Sequence, residues 1–302
     1  MYESFYGFSG KPFQLNPDPA FFFASRGHKR AYAYLQYGLF QGEGFIVITG
    51  DVGAGKTTLV RSLLDRLDSN KFVAAQLVST QLDADDLLRA VAIAFGRPTK
   101  ASDKAGLLGT LEAFFTSLAL QSKRALLIVD EAQNLRARAV EELRMLSNFQ
   151  LEDRALLQSF MIGQPELRVT MRSAQMQQLR QRVTASYHLG PMDGPETRAY
   201  IEHRLTHVGW KDDPHFEPAA FDAIFAATAG IPRRINTLCN RLLLGSYLGE
   251  RHVLTAEDVD AIFAEVQDEL GLEAAVASVV TATGAPGPKS GLNGGSAGMH
   301  QG

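Results

Sequence analysis

Short unbroken apolar runs alternate with stretches of helical spacing between Phe45 and Gly190. Phe45-Ile46-Val47-Ile48-Thr49 lacks polar alternation, as a parallel strand covered on both faces does. Lys56 to Leu67 predicts an amphipathic helix, Phe72 to Val78 a strand and Asp83 to Phe95 a second helix. Asp83, Asp85 and Asp86 stand at that helix's N-terminal end, where the macrodipole favours carboxylates. Ser102 is expected to cap a helix reaching Leu120. Ala125–Val129, Leu156–Ile162 and a short Tyr187–Leu189 predict further strands, with a helix over Ala137–Phe149. Repeated βα units imply a parallel sheet with helices on both faces.

The pattern differs on either side of this block. The first 25 residues are rich in aromatics and proline and are expected to form an arm whose rings pack on the body. Arg26 to Gln41 has helical spacing at Ala31, Tyr34, Leu35 and Gly38-Leu39. After Gly190-Pro191 no strand candidate remains, and helices are predicted over 195–208, 218–229, 232–248 and 256–270. Thr255 and Asp258 have capping-box spacing before the last of these. The expected organisation is an arm (1–25), an α/β domain (26–191), a small all-α domain (192–270) and a Gly-rich tail (271–302) too poor in large apolar groups to fold.

Composition narrows the classes. Among 302 residues, 30 basic side chains face 33 acidic ones, for a net charge of −3, which argues against a uniformly basic nucleic-acid coat. Cys239 is the single cysteine, so neither an intrachain disulfide nor a Cys-rich metal site can form. Its leucine-rich surroundings read as core. No uncharged apolar run reaches the roughly 18 residues of a membrane span, and the N-terminus lacks the pattern of a secretory signal. His28 is read either as a histidine near the adenine or, preferred, as a surface histidine, and Trp210 is expected to pack at the end of a helix.

The chemistry lies in Gly50-Asp51-Val52-Gly53-Ala54-Gly55-Lys56-Thr57, a full match to G-x-x-x-x-G-K-[ST] between a strand and a helix, with Thr58 next to it. Glycines let successive N–H groups converge on phosphate oxygens, and the following helix adds its positive end. Lys56 should reach the β- and γ-phosphates and Thr57 should coordinate Mg²⁺. Leu126-Leu127-Ile128-Val129 ends in Asp130 and Glu131, one suited to the magnesium shell and the other to the attacking water.

Three further elements have two readings each. Gln164, after a strand, either contacts the γ-phosphate and lytic water or merely caps the helix started by Pro165. Arg180 and Arg182 either reach a neighbour's nucleotide or end a solvated basic helix. Arg233, opening a helix in the all-α part, either reaches back to the nucleotide or lies on the surface.

Together these residues resemble the AAA+ ATPases over about residues 20–270. The phrases PFQLNPDPAFFF, VDEAQNL, GQPEL, LRQRV and GIPRRIN look like the general secretion pathway protein A family, and most like its short branch associated with exosortase (PEP-CTERM) and exopolysaccharide systems. The resemblance implies a P-loop sheet followed by a helical lid, and Mg²⁺-dependent ATP hydrolysis. It makes Gln164 the first sensor and Arg233 the second. Arg182, or else Arg180, becomes a trans-acting arginine, which implies a homo-oligomer. It also implies a protein partner in an envelope or export system, placing the chain in the cytoplasm or at the inner membrane's periphery through partners. Relatives often carry Asn where Ser79 stands, so a residue gating Glu131 is not assigned. The secretion protein's membrane span and peptidoglycan-binding part are expected to lack a counterpart here, so cell-wall binding is not carried over. The competing readings are a nucleic-acid-dependent ATPase of the transposition-helper type, with a basic rim from Arg136, Arg138 and Arg144 or from Arg168, Arg172, Arg180 and Arg182, and a low-turnover nucleotide-gated scaffold.

Overall fold

The computed structural model describes residues 1–16, 18–78, 82–99 and 103–269. Ser79, Ser102 and the tail beyond 269 lie outside the described residues. Five parallel strands form one sheet: β1 (Phe45–Gly50), β2 (Phe72–Val78), β3 (Arg124–Asp130), β4 (Leu157–Gly163) and β5 (Val183–Leu189), in the order β2-β3-β4-β1-β5. Strand β4 therefore separates β1 from β3, with Thr49 level with Gly163. Every residue of β1 is buried, because the two faces of its alternating side chains enter different cores. Ile46 and Ile48 pack with Leu59, Ile128 and Phe160. Phe45 and Val47 join Leu127, Val129 and Met161.

The N-terminal helices are α1 (Tyr2–Phe5) and α2 (Arg26–Gln41). Within the sheet region α3 (Lys56–Leu64), α4 (Ala84–Ala94), α5 (Lys104–Leu120), α6 (Ala137–Leu146), α7 (Pro165–Arg172) and α8 (Gln177–Arg180) connect the strands. Asp103, whose side chain accepts from Gly106 N at 2.9 Å, caps α5. Strand β5 starts four residues earlier than the apolar pattern predicts, since it is an edge strand with exposed Thr184 and Ser186 interrupting the run.

Helices α9 (Gly194–His207), α10 (Pro218–Thr228), α11 (Pro232–Leu248) and α12 (Ala256–Glu269) follow. The Thr255–Asp258 box forms, with Thr255 N donating to Asp258 Oδ2 at 3.0 Å and Asp258 N to Thr255 Oγ1 at 3.3 Å. Contrary to the strand-free expectation, His215–Phe216 and Val253–Leu254 make a two-residue parallel pair that ties two loops together. Of the arm, Phe22 packs against the sheet-side core, while most of its aromatics turn to the helical region. Tyr2, Tyr6, Phe8 and Phe13 are buried with Ile201, Leu205, Phe216 and Leu242 in the helical region's core. Buried Arg204 reinforces this seam, donating through Nε to the Pro12 carbonyl and through Nη1 to Tyr200 Oη at 2.9 Å. Tyr200 in turn donates to Asn236 Oδ1 at 2.8 Å. Cys239 is fully buried in the same core, as its neighbours imply.

Candidate nucleotide site

Strand β1 delivers the chain to the C-terminal edge of the sheet at Gly50, and α3 starts at Lys56. Gly53 and Gly55 turn the loop between them with φ of +81° and +94°, conformations strained for any residue with a Cβ. A Cβ on Gly53 would stand 2.3 Å from that of Arg233, and Arg233 N donates to the Gly53 carbonyl at 3.2 Å. The start of α11 thus rests directly on the loop. On the loop's other side lies His28, 5% exposed, with Nε2 2.7 Å from where a Gly55 Cβ would be. Its Nδ1 is 2.7 Å from Ser25 Oγ. His28 is therefore a buried support of the loop, which corrects the expected surface position. Burial pushes its pKa below the ordinary histidine value.

Lys56 is also buried and bends back over the loop, donating to the carbonyls of Gly50 (2.6 Å) and Asp51 (2.8 Å). Burial holds its pKa below the usual lysine value, and the acidic groups of Glu131, Asp130 and Asp51 oppose that shift. Thr57 Oγ1 donates to Asp130 Oδ2 at 3.2 Å across the sheet edge. Burial raises the Asp130 carboxyl above the ordinary aspartate value, against hydrogen bonds from Glu131 N and Thr57. A hydroxyl and one carboxylate, converging beside a phosphate-binding loop, fit Mg²⁺, which keeps waters and phosphate oxygens as its other ligands. Among the described residues no cluster of three or more His, Cys, Asp or Glu side chains could hold a metal by itself.

Glu131 follows with φ of +53°, a left-handed conformation that costs a non-glycine residue about 1–2 kcal/mol. Strain of this kind collects at functional sites. Its Oε2 accepts from Gln164 Nε2 at 3.0 Å and from Gln133 Nε2 at 2.5 Å. Gln164 begins α7 without a side-chain capping bond, so its amide serves Glu131 and the bland capping reading fails. β4's place between β1 and β3 puts Gln164 between the loop and the acidic pair. Lys56, Thr57, Glu131, Gln164 and Arg233 line one cleft of about 220 Å³. Thr58 joins them, and Gln14 with Phe21–Phe23 of the arm closes the far side.

Arg180 and Arg182 are not brought to this cleft. They precede β5, at the opposite end of the sheet, roughly 17 Å away by strand rise. Arg180 donates to the carbonyls of Met171 (2.6 Å) and Ser173 (2.7 Å). Arg182 donates to the Ser147 carbonyl (3.2 Å) and hydroxyl (3.0 Å). Sequence reasoning missed Gln133, although VDEAQNL contains it, and missed the arm as a wall of the cleft.

Residues 39–171 match the AAA domain family. The fold also matches the ORC2 protein of Aeropyrum pernix, seen in ADPNP–ADP complexes, with a TM-score of 0.64 at 20% identity over 85% of this chain and 72% of that one. The chain has the AAA+ fold. A second AAA+ neighbour is the Thermotoga maritima RuvB Holliday junction branch migration motor, with a TM-score of 0.52 at 19% identity over 83% of this chain and 73% of that one. In sequence the chain is 37% identical over 268 residues to general secretion pathway protein A of Aeromonas hydrophila. That stretch is 88% of this chain and 48% of the relative, so the chain spans about half the relative's length. No helix among the described residues is long and apolar enough to cross a membrane.

Proposed function

We propose that the chain binds ATP and hydrolyses it with Mg²⁺, and that the helical region from 192 to 270 acts as a lid over residues 26–191. The observation that carries this reading is the convergence of Lys56, Thr57, Glu131, Gln164 and Arg233 on one cleft, with Asp130 beside Thr57. Lys56 exchanges its loop carbonyls for the β- and γ-phosphates. Thr57 and Asp130 would hold the metal, which would neutralise charge on the phosphate oxygens. Glu131 orients the attacking water and takes its proton, with Gln164 alongside. Arg233 links lid position to nucleotide, since its backbone already rests on Gly53.

Arg182, with Arg180 as the alternative, is proposed to act on a neighbouring copy, because neither shares an end of the sheet with its own loop. The similarity to general secretion pathway protein A supports service to an envelope export system, in the cytoplasm or at the inner membrane's periphery through partners. The exosortase and exopolysaccharide assignment rests on the sequence phrases alone. A nucleic-acid-dependent reading draws less support, since Arg136 pairs with Asp83 and Arg144 with Glu141, leaving a thinner basic rim.

Glu131→Gln tests the proposal. It is expected to retain ATP binding while lowering turnover by about 10²- to 10⁴-fold. Turnover at the wild-type rate would remove Glu131 from its role. Strong, salt-sensitive stimulation of the wild-type rate by DNA would move the function to the nucleic-acid class.

A further inference from the structure

We infer that Gln133 is a positioning residue for hydrolysis, a bracket that fixes the Glu131 carboxylate against the end of β4. The inference rests on the ATPase reading above and adds a residue to it. A glutamate side chain on a sheet edge has several rotamers, and only those that aim its carboxylate at the water are productive. Ordering it costs side-chain conformational entropy. Gln133 supplies that order through both ends of its amide. Nε2 donates to Glu131 Oε2 at 2.5 Å, while Oε1 accepts from Gln164 N at 2.9 Å.

The local backbone is shaped for this contact. The left-handed turn at Glu131 leads into a 3₁₀ turn over Ala132–Asn134, which folds Gln133 back onto its neighbour's carboxylate. At the other end, a Cβ on Gly163 would lie 2.8 Å from Gln133 Oε1, so the amide packs directly on the glycine and a side chain there would displace it.

The two amides on Oε2 are not equivalent. Gln164 holds Glu131 with its side chain, the same group that a γ-phosphate or the lytic water would recruit. Gln133 is tethered to the backbone of Gln164, which does not depend on where that side chain turns. When Gln164 leaves for phosphate, Gln133 is the donor that stays. Both donors use Oε2, which leaves Oε1 free of both.

Steady-state ATP turnover, nucleotide affinity and thermal melting of the full chain test this in Gln133→Ala, Gln133→Glu, Glu131→Gln and the Gln133→Ala/Glu131→Gln double variant. Gln133→Ala is expected to lower kcat by roughly 10- to 100-fold with KM and nucleotide affinity within about twofold. Gln133→Glu keeps the acceptor for Gln164 N but sets a second carboxyl against Glu131, so the pair shares a proton and kcat should fall at least as far, with a pH profile displaced from that of wild type. The displaced profile and the double variant separate a contact on the Glu131 carboxylate from a role in packing alone. In the Glu131→Gln background, single-turnover rates should fall by less than about twofold on adding Gln133→Ala, since the two act as a unit. Wild-type kcat in Gln133→Glu, or the full loss repeated in the double variant, overturns the bracket and leaves the ATPase reading standing. Full turnover by Glu131→Gln would overturn both.

Discussion

The cleft has two walls of different construction. One is the P-loop with the ends of β3 and β4, where Lys56 is held by nearby backbone and Thr57, Asp130, Glu131, Gln133 and Gln164 are tied to one another by hydrogen bonds. The other is the arm with the helical region, where residues 2–23 meet residues 192–254 through buried aromatics and a chain of hydrogen bonds from Pro12 through Arg204 and Tyr200 to Asn236. The first wall carries the charges that meet phosphate. The second contributes shape and closure, and most of its energy is hydrophobic. The two should therefore fail differently, one losing chemistry with the fold intact and the other losing fold.

The largest expected effect is on the second wall. Phe13 is 2% exposed, and Phe13→Ala should cost about 3–5 kcal/mol of stability, read as a fall in the urea midpoint. An unchanged midpoint would mean that the arm is not part of the helical core. Next comes Lys56→Ala, expected to weaken ATP binding by about 100-fold, or ~2.7 kcal/mol, in a displacement assay with a fluorescent nucleotide. Its urea midpoint should stay near wild type or rise, because removing a buried cation relieves desolvation. A collapse in stability there would erase the distinction between the walls.

Arg233 belongs to the second wall but touches the first, so it sharpens the comparison. Arg233→Ala should weaken nucleotide binding by about tenfold, or ~1.4 kcal/mol, with little change in unfolding. The smallest effect concerns pH. Burial lowers the folded-state pKa of His28, so below about pH 6.5 the unfolded chain takes up a proton that the folded chain resists. Stability contributed by the neutral ring is present above that pH and is lost on acidification. His203 acts in the same direction. His28→Asn should flatten the decline in thermal midpoint between pH 7.5 and 5.5, and an identical slope would remove His28 from the support of the loop.

What the sequence made legible follows the same division. The strand before Gly50, the loop and the helix start at Lys56 are consecutive, so spacing alone located them. Asp130 and Glu131 were readable because an apolar run ends at a sheet edge in two acids. Gln133 was not, because its role depends on a left-handed Glu131 and on a glycine 30 residues later in another strand. The arm's aromatics were visible as a group, yet their docking on helices 190 residues away leaves no periodic trace. His28 was misread for a similar reason. Its partners, Ser25 and the loop at Gly55, are brought together only when α2 packs beside β1. For Gln164, geometry alone removed the capping reading, since its side chain makes no capping bond and donates to Glu131 instead.

Titration calorimetry of the full chain with ATP at millimolar magnesium tests the central claim most directly. The account predicts a saturable one-site isotherm that Lys56→Ala loses and Glu131→Gln keeps. A flat trace from the wild-type chain, or equal heats from wild type and Lys56→Ala, would contradict it.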